Sequence, residues 1–416
     1  MKKKLLKQIG NEWRANVWLG LELLIVSVVT WYILDVLAVE LRIANEDMGF
    51  DYDNCYTVSV RIKTPESPGY IDHEANEGSD YEDYTEVMNR LNQLPEVIAA
   101  GEGSSFPFNY NFWGVRAYFE LPGVDSIISN YGRINRIKIN ANYLKVFHTT
   151  GLKGESSDEL AEMIAEGKAI VTSNINANNE NGLDPLDYYN AKMTMEEDST
   201  HAYQIGAVIP PIKRAQFEPA FHATLLVPVE HPGKPIVRLA PDKKDEFFRR
   251  IKEEINSLNY GNAYISEVKA ISQIRDDLHR DDYALLRNLV ICMGFLFITI
   301  FLGLLGTFWF RTQQRVQEIA IRKVTGATRP QIFRRLIGEG LLILLIVTPL
   351  AYCADLIIQH YDLSQSHQYY PEGAAMFTLC CVLAVALLMA LMIIAGIYFP
   401  ARKAMDIEPA EVLRGE

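Results

Sequence analysis

Four long apolar runs constrain the fold of this 416-residue chain more than any other feature. They occupy residues 17–39, 289–310, 336–358 and 376–399, and each contains at least 22 residues. A helix needs about 20 apolar residues to cross about 30 Å of hydrocarbon, and buried helices of soluble proteins usually contain shorter apolar runs. The runs therefore predict four transmembrane helices.

Acidic residues within these runs do not exclude that interpretation. Glu22 and Glu339 lie near one end of their runs, and Asp35 and Asp355 lie near the other end. A central acid costs roughly 3 kcal/mol on insertion scales, whereas each Leu, Ile or Val contributes about 0.3–0.6 kcal/mol in favour of insertion. Ionisable residues in membrane spans are functional candidates, so Glu22 and Glu339 are intramembrane acidic candidates. For Glu339 the plainer alternative is a polar cap beside the preceding arginines.

The positions of Lys and Arg predict the orientation. Basic residues cluster before the first run, between the second and third, and after the fourth, whereas residues 360–375 contain none. By the positive-inside rule, both termini and the loop at 311–335 are cytoplasmic. The first run is longer than the apolar part of a signal peptide and has no clear cleavage site after it, so we expect a retained anchor.

Residues 1–16 predict an amphipathic helix that lies in the membrane interface. Leu5, Leu6 and Ile9 share one helical face with Trp13, while the lysines lie elsewhere on the helix. This pattern is typical of interfacial helices. A basic N-terminal tail without that structure is the alternative.

Residues 40–286 have the composition of a soluble domain outside the membrane. They contain 24 Lys+Arg and 40 Asp+Glu, a net charge of −16. Such an acidic domain does not favour nucleic acid or anionic lipid as its main partner. Cys55 is the one cysteine outside the apolar runs, so an intradomain disulfide is excluded and the fold depends on its core.

The pattern of this domain predicts an α+β fold. A strand and a helix at its start are matched by a strand, a helix and a strand at its end, with short strands and turns between. The predicted fold class is therefore a membrane α-helical protein with four transmembrane helices plus an α+β extracytoplasmic domain, in which two β-α-β units flank a β-rich insertion. The predicted segments are 56–63, 79–94, 101–230, 235–239, 241–258 and 262–268.

A helical stalk is predicted to lead from this domain into the second span. No strong helix breaker occurs between Lys269 and the second apolar run. The apolar stripe of this helix consists of Ile271, Ile274, Leu278 and Leu285. One continuous helix over residues 269–310 could transmit rigid-body motion across the membrane.

Residues 311–340 predict two helices that meet at a tight turn. Val316, Ile319, Ala320 and Val324 share a face of the first helix. Gly326 suits the left-handed residue that ends a helix, and Thr328 and Pro330 suit the cap and first turn of the next. The turn would present basic and apolar side chains to a cytoplasmic partner. The alternative is that its charge only sets orientation.

This segment resembles the signature of the MacB/FtsX-type ABC transporter permeases, R-x-x-E-I-x-I-R-K-x-x-G-A. The end of the chain, residues 400–416, and the four-span layout with one long exterior insertion are also similar to that family. The residues that match the signature are Arg315, Glu318, Ile319, Ile321, Arg322, Lys323, Gly326 and Ala327.

The resemblance implies a permease subunit in the inner (plasma) membrane. It implies that a separate cytoplasmic ABC ATPase binds ATP and Mg, and that this chain holds no cofactor. It also implies pairing as a homodimer or with a related permease, and a possible periplasmic or outer-membrane partner. Residues 40–286 would be a MacB-like periplasmic core domain and residues 287–416 an FtsX-like permease domain. The implied ATPase-coupling residues are Arg315, Glu318, Ile319, Arg322, Lys323, Gly326 and Ala327.

Within the family, the resemblance implies mechanotransmission that serves export or extrusion. The alternatives are an FtsX-like regulator of an extracytoplasmic enzyme and a lipoprotein-release permease. A membrane-anchored sensor, from a different class, would need a cytoplasmic signalling domain larger than the tails and loop present here.

The sequence predicts no catalytic residue and no metal site. The chain contains no G-x-x-x-x-G-K-[ST] phosphate loop and no G-x-S-x-G motif. The segment from His73 to Glu77 lacks the second histidine of a zinc protease. We therefore expect a non-enzymatic subunit.

Overall fold

The structure is a computed structural model that describes residues 13–74, 78–105, 108, 114–124, 126–129, 134–176, 183–196, 198–220, 222–229, 233–369 and 374–406. The chain divides into a helical unit, residues 1–42 with 282–416, and an α/β unit, residues 43–281. The interfacial helix predicted for residues 1–16 lies outside the described residues up to position 12, and the C-terminal motif lies outside them from position 407.

The described elements follow one another as eleven helices and twelve strands, numbered in chain order. The helices are α1 (Trp13–Asn45), α2 (Asp80–Asn92), α3 (Asn142–Val146), α4 (Ser157–Ala165), α5 (Lys244–Leu258), α6 (Ile271–Leu278), α7 (Arg280–Gln314), α8 (Val316–Val324), α9 (Arg329–His360), α10 (Gln365–Tyr369) and α11 (Ala374–Asp406). The strands are β1 (Cys55–Ile62), β2 (Val97–Glu102), β3 (Gly114–Val115), β4 (Ala117–Glu120), β5 (Ile127–Ser129), β6 (Ile134–Ile139), β7 (Ala169–Thr172), β8 (Lys192–Met195), β9 (Asp198–Ile209), β10 (Thr224–Pro228), β11 (Pro235–Leu239) and β12 (Ala263–Ala270).

Four helices among the described residues, α1, α7, α9 and α11, are long and apolar enough to cross a membrane. All four apolar runs are helical, and each helix extends beyond its run at both ends. Their shared core contains residues such as Leu23, Leu304 and Met389, all at most 1% exposed. Packing is close at Gly340 of α9, where an added Cβ would lie 2.8 Å from the Ile393 Cγ2 of α11. Small residues at such positions allow membrane helices to approach closely.

A four-stranded sheet in the α/β unit has the order β12-β1-β11-β2, and all neighbours in it are antiparallel. Helix α2 connects β1 with β2, and α5 connects β11 with β12, so each helix connects strands that are not neighbours. This is a split β-α-β arrangement. Val87 of α2, Phe247 of α5 and Val237 of β11, none of them exposed to solvent, belong to one core.

The second sheet of this unit is mixed, with the order β3-β6-β10-β7-β9-β8-β4-β5. Both of its faces are buried. Ile170 and Leu226 lie in the core that also contains α3 and α4, whereas Val171 and Leu225 lie in the core on the other face. Alternate residues of a strand point to opposite faces, so these central strands are apolar at consecutive positions.

The continuous stalk predicted over residues 269–310 is wrong. Residues up to Ala270 belong to β12, and His279 interrupts the helix between α6 and α7 with φ −95° and ψ 12°. The imidazole of His279 is fully buried and accepts a hydrogen bond from the Gln216 backbone N–H at 3.0 Å. These tertiary contacts fix the non-helical conformation, although the local sequence contains no Gly or Pro that would predict it.

The predicted stalk residues separate into two groups. Ile271 is fully buried, and Ile274 and Leu278 pack against the same core of the α/β unit. Leu285, on α7, is 55% exposed. The first three residues therefore anchor α6 to the α/β unit and do not form a free rod.

We expect Cys55 to resist thiol reagents, which gives a test of the α/β core. Its Sγ lies 3.4 Å from the Val146 carbonyl oxygen, and burial raises the pKa of the Cys55 thiol to about 12. Because the thiolate is the reactive form, maleimide labelling at neutral pH should be on the order of a thousandfold slower than for a free thiol and should accelerate as the pH rises.

The measurement uses a variant in which the other four cysteines are replaced by serine, with the denatured variant as the control. Fast labelling of the native protein at neutral pH would contradict the burial of Cys55.

Candidate functional site

The candidate site is the connecting segment, residues 315–328, between α7 and α9. Arg315, with φ −101° and ψ 9°, separates α7 from α8. Gly326 has a φ of +91°, which confirms the left-handed conformation predicted for it. Thr328 forms a capping box with Gln331 at the start of α9, as the pattern also predicted. Helix α8 is therefore a nine-residue helix held between two backbone turns.

Helix α8 has one buried and one exposed apolar side. Ile319 and Ala320 are each 3% exposed, and Ile319 belongs to the core of the helical unit. Ile321 and Val324 are 54% and 65% exposed. The sequence placed Val324 on the same helical face as Ile319 and Ala320, but Val324 is the last residue of the helix and lies at the surface. The exposed pair forms an apolar surface beside charged groups.

Five charged side chains form a continuous chain of ion pairs across this segment. Glu318 pairs with Arg322 and lies 3.8 Å from the Arg335 guanidinium. Glu339 lies 3.5 Å from the Arg335 Nε and also accepts a hydrogen bond from Arg315. The chain therefore joins the start of α8 to the first three turns of α9.

The predicted ATPase-coupling residues come together in this region. Arg315, Glu318 and Arg322 belong to the ion-pair chain, and Ile319 supports it from the core. Ala327 packs against the same core, and Lys323 is half-buried on α8. Gly326 provides the turn. What such a surface can do chemically is bind a partner through apolar and basic contacts, and it offers no arrangement of a nucleophile with a base.

The intramembrane acids have different surroundings. Glu22 accepts a hydrogen bond of 3.4 Å from the Thr307 hydroxyl, and Glu339 is held by two arginines. Asp35 accepts bonds from the backbone N–H groups of α10. The sequence singled out Glu22 and Glu339, but the most buried of the four intramembrane acids are Asp35 and Asp355, at 0% and 1% exposure.

A second group of ionisable residues lies in the α/β unit. The ligand-type atoms of His73, Asp80 and Asp83 all lie within 4.8 Å of one another. Asp83 Oδ2 lies 2.9 Å from His73 Nε2 and accepts a bond of 2.6 Å from the Asn262 backbone N–H. Asn262 also donates to Asp80. The cluster therefore has a structural role, because its hydrogen bonds connect α2 to the loop before β12.

Comparison with known proteins gives one family match. Residues 290–409 match the model of the FtsX-like permease C-terminal family. This match confirms the resemblance that the sequence of the connecting segment suggested. No curated protein matches the chain.

Among solved structures, one similar chain is the extracellular domain of the noncanonic ABC-type transporter YknZ from Gram-positive bacteria. It is 11% identical, and the alignment covers 51% of this chain and all of that one, with a TM-score of 0.28.

Proposed function

On the premise that residues 290–409 form an FtsX-like permease C-terminal domain, we propose that this chain is the membrane subunit of an ABC transporter. A separate cytoplasmic ATPase binds ATP and Mg and docks on the connecting segment. The permease converts the resulting movement into conformational work outside the membrane, in export or extrusion. Both termini are cytoplasmic, and two permease chains pair.

The observation that carries this proposal is the construction of the connecting segment. Its surface residues Ile321 and Val324 are exposed, while Ile319 beneath them is held in the core of the helical unit. An apolar surface rimmed by basic groups is typical of a docking site for a protein partner. Because Ile319 of the same helix is packed in the core of the helical unit, a partner that displaces the exposed side of α8 would also displace that core.

The ion-pair chain supports the transmission step. Glu318 lies on α8, whereas Arg335 and Glu339 lie on α9. Movement of α8 would therefore act on α9 through charged contacts as well as through the backbone at Gly326. Rigid secondary elements joined by such networks are the usual carriers of coupling between distant sites.

The proposed function predicts that ATP hydrolysis requires the complex. The purified chain should have no ATPase activity, because its sequence contains no phosphate loop. Co-expression with the ATPase should give a complex that hydrolyses ATP. The double variant Ile321→Glu and Val324→Glu should lose most of the bound ATPase, because it places two desolvated charges in the proposed interface.

The matched control is Ile98→Glu, which changes an equally exposed isoleucine of the α/β unit. The control should retain the complex. ATP hydrolysis by the chain alone, or a double variant that binds the ATPase as well as the wild type, would contradict the proposal.

A further inference from the structure

A cavity inside the helical unit contains an acidic group without a partner. Ser27 and Trp31 of α1, Thr348 and Asp355 of α9, and Val382 of α11 line it. Asp355 is 1% exposed, and neither carboxylate oxygen has a hydrogen-bond partner among the described residues. The Trp31 Nε1–H is likewise buried without a partner there. Buried polar groups are normally paired, so these atoms point to an occupant.

The groups that face Asp355 do not supply a positive charge. Asp35 of α1 lies near enough to act on it electrostatically, and Cys381 of α11 lies near both acids. No ion pair to Asp355 occurs in the described part of the chain. An isolated buried carboxylate is too costly to remain charged, so it must be neutralised by a bound cation or a proton.

Asp35 has hydrogen-bond donors that Asp355 lacks, although its Oδ1 is also buried without a partner among the described residues. Its Oδ2 accepts hydrogen bonds from the backbone N–H groups of Gln365 at 3.0 Å and Ser366 at 3.4 Å. Hydrogen bonds to the charged form stabilise a carboxylate, and a second carboxylate close to Asp355 disfavours a charge on Asp355. Neutralising the Asp355 carboxylate therefore requires one bound positive charge.

We propose that this cavity binds one monovalent cation, a proton or a sodium ion, on the carboxylate of Asp355. The cavity has room for a water-sized occupant, which excludes organic ligands. Ser27 and Thr348 line the cavity, and the Thr348 hydroxyl donates to the Leu344 carbonyl oxygen, which leaves its lone pairs available. Hydroxyl oxygens of these two residues are the candidate ligands for a sodium ion or acceptors for a protonated Asp355.

The test uses dicyclohexylcarbodiimide on the full chain in lipid nanodiscs. This reagent converts protonated carboxyl groups in apolar surroundings to stable N-acylureas, which peptide mass spectrometry locates. We expect Asp355 to be modified at neutral pH, and Asp355→Asn to remove that modification. Glu339, paired with two arginines, is the internal control and should remain unmodified.

Two buffers of equal ionic strength distinguish the sources of the charge. If sodium chloride protects Asp355 and choline chloride does not, the bound cation is sodium. If neither protects, it is a proton. A second measurement is the thermal midpoint, whose dependence on pH or on sodium should be larger in the wild type than in Asp355→Asn. Absence of labelling at Asp355, together with equal pH and sodium dependence of the two proteins, would overturn the proposal.

Discussion

Replacement of Gly326 by valine is expected to uncouple the chain from the ATPase that we propose docks on the connecting segment. The φ of +91° at Gly326 is disfavoured for residues with a Cβ, by about 1–2 kcal/mol and by more for β-branched ones. A penalty of this size shifts the native turn by roughly tenfold or more toward other conformations. Stimulated ATP hydrolysis by the reconstituted complex should fall in proportion, while membrane insertion is retained.

The space around Gly326 makes this experiment specific. Apart from the two adjacent residues, no described atom lies within 4 Å of a Cβ added there, so backbone strain and not a clash is the cause of the effect. Gly338→Val is the matched control, because that position is also open but lies inside α9 without a positive φ. Gly326→Asn should retain more activity, since asparagine tolerates the left-handed region. Full activity of Gly326→Val would show that the turn is not needed for coupling.

Among the acidic residues of the ion-pair chain, Glu339 is expected to contribute most to the stability of the helical unit. Glu339→Ala removes the carboxylate that pairs with both Arg315 and Arg335, whose side chains are 17% and 28% exposed. Breaking a buried pair on one side costs about 3–5 kcal/mol. The thermal midpoint of the chain in nanodiscs should therefore fall by roughly 10 °C.

Glu318→Ala is the control within the same ion-pair chain. The Glu318 side chain is 38% exposed, and exposed pairs contribute about 0.2–1 kcal/mol. Its thermal midpoint should change by only a few degrees. Equal losses of thermal midpoint in the two variants would mean that the contribution of an ion pair to stability does not depend on its burial here. A negligible loss for Glu339→Ala would mean that the two arginines find other partners.

The sequence predicted the helical unit well because membrane spans have a strong compositional signal. All four apolar runs are helical, and the residues at Gly326 and Thr328 adopt the turn and cap that their types favour. These features depend on local chemistry, which a sequence displays directly. The family signature lies in the same segment, and the family match confirms it.

Features that depend on distant contacts were missed. The break at His279 results from burial of its side chain against Gln216, which is 63 positions away in the chain. The burial of two acids was missed as well. From their positions alone, Asp35 and Asp355 lie near the ends of their spans, but the structure shows that both side chains are buried. Helical periodicity could have indicated that Asp355 shares a face with buried Ala351, which lies one turn earlier.

The ion-pair chain of the connecting segment has a further consequence, which concerns its response to the medium. At its outer end, Arg322 and Glu318 are 33% and 38% exposed, and at its inner end Glu339 is 12% exposed. Mobile ions screen charges in contact with water within about 8 Å at physiological salt, and they screen buried pairs much less. Raising the salt concentration should therefore weaken the ion pair at the exposed end, between Arg322 and Glu318, and leave the ion pairs of Glu339 intact. The Glu318–Arg322 pair would then be sensitive to salt, whereas the pairs made by Glu339 would resist it.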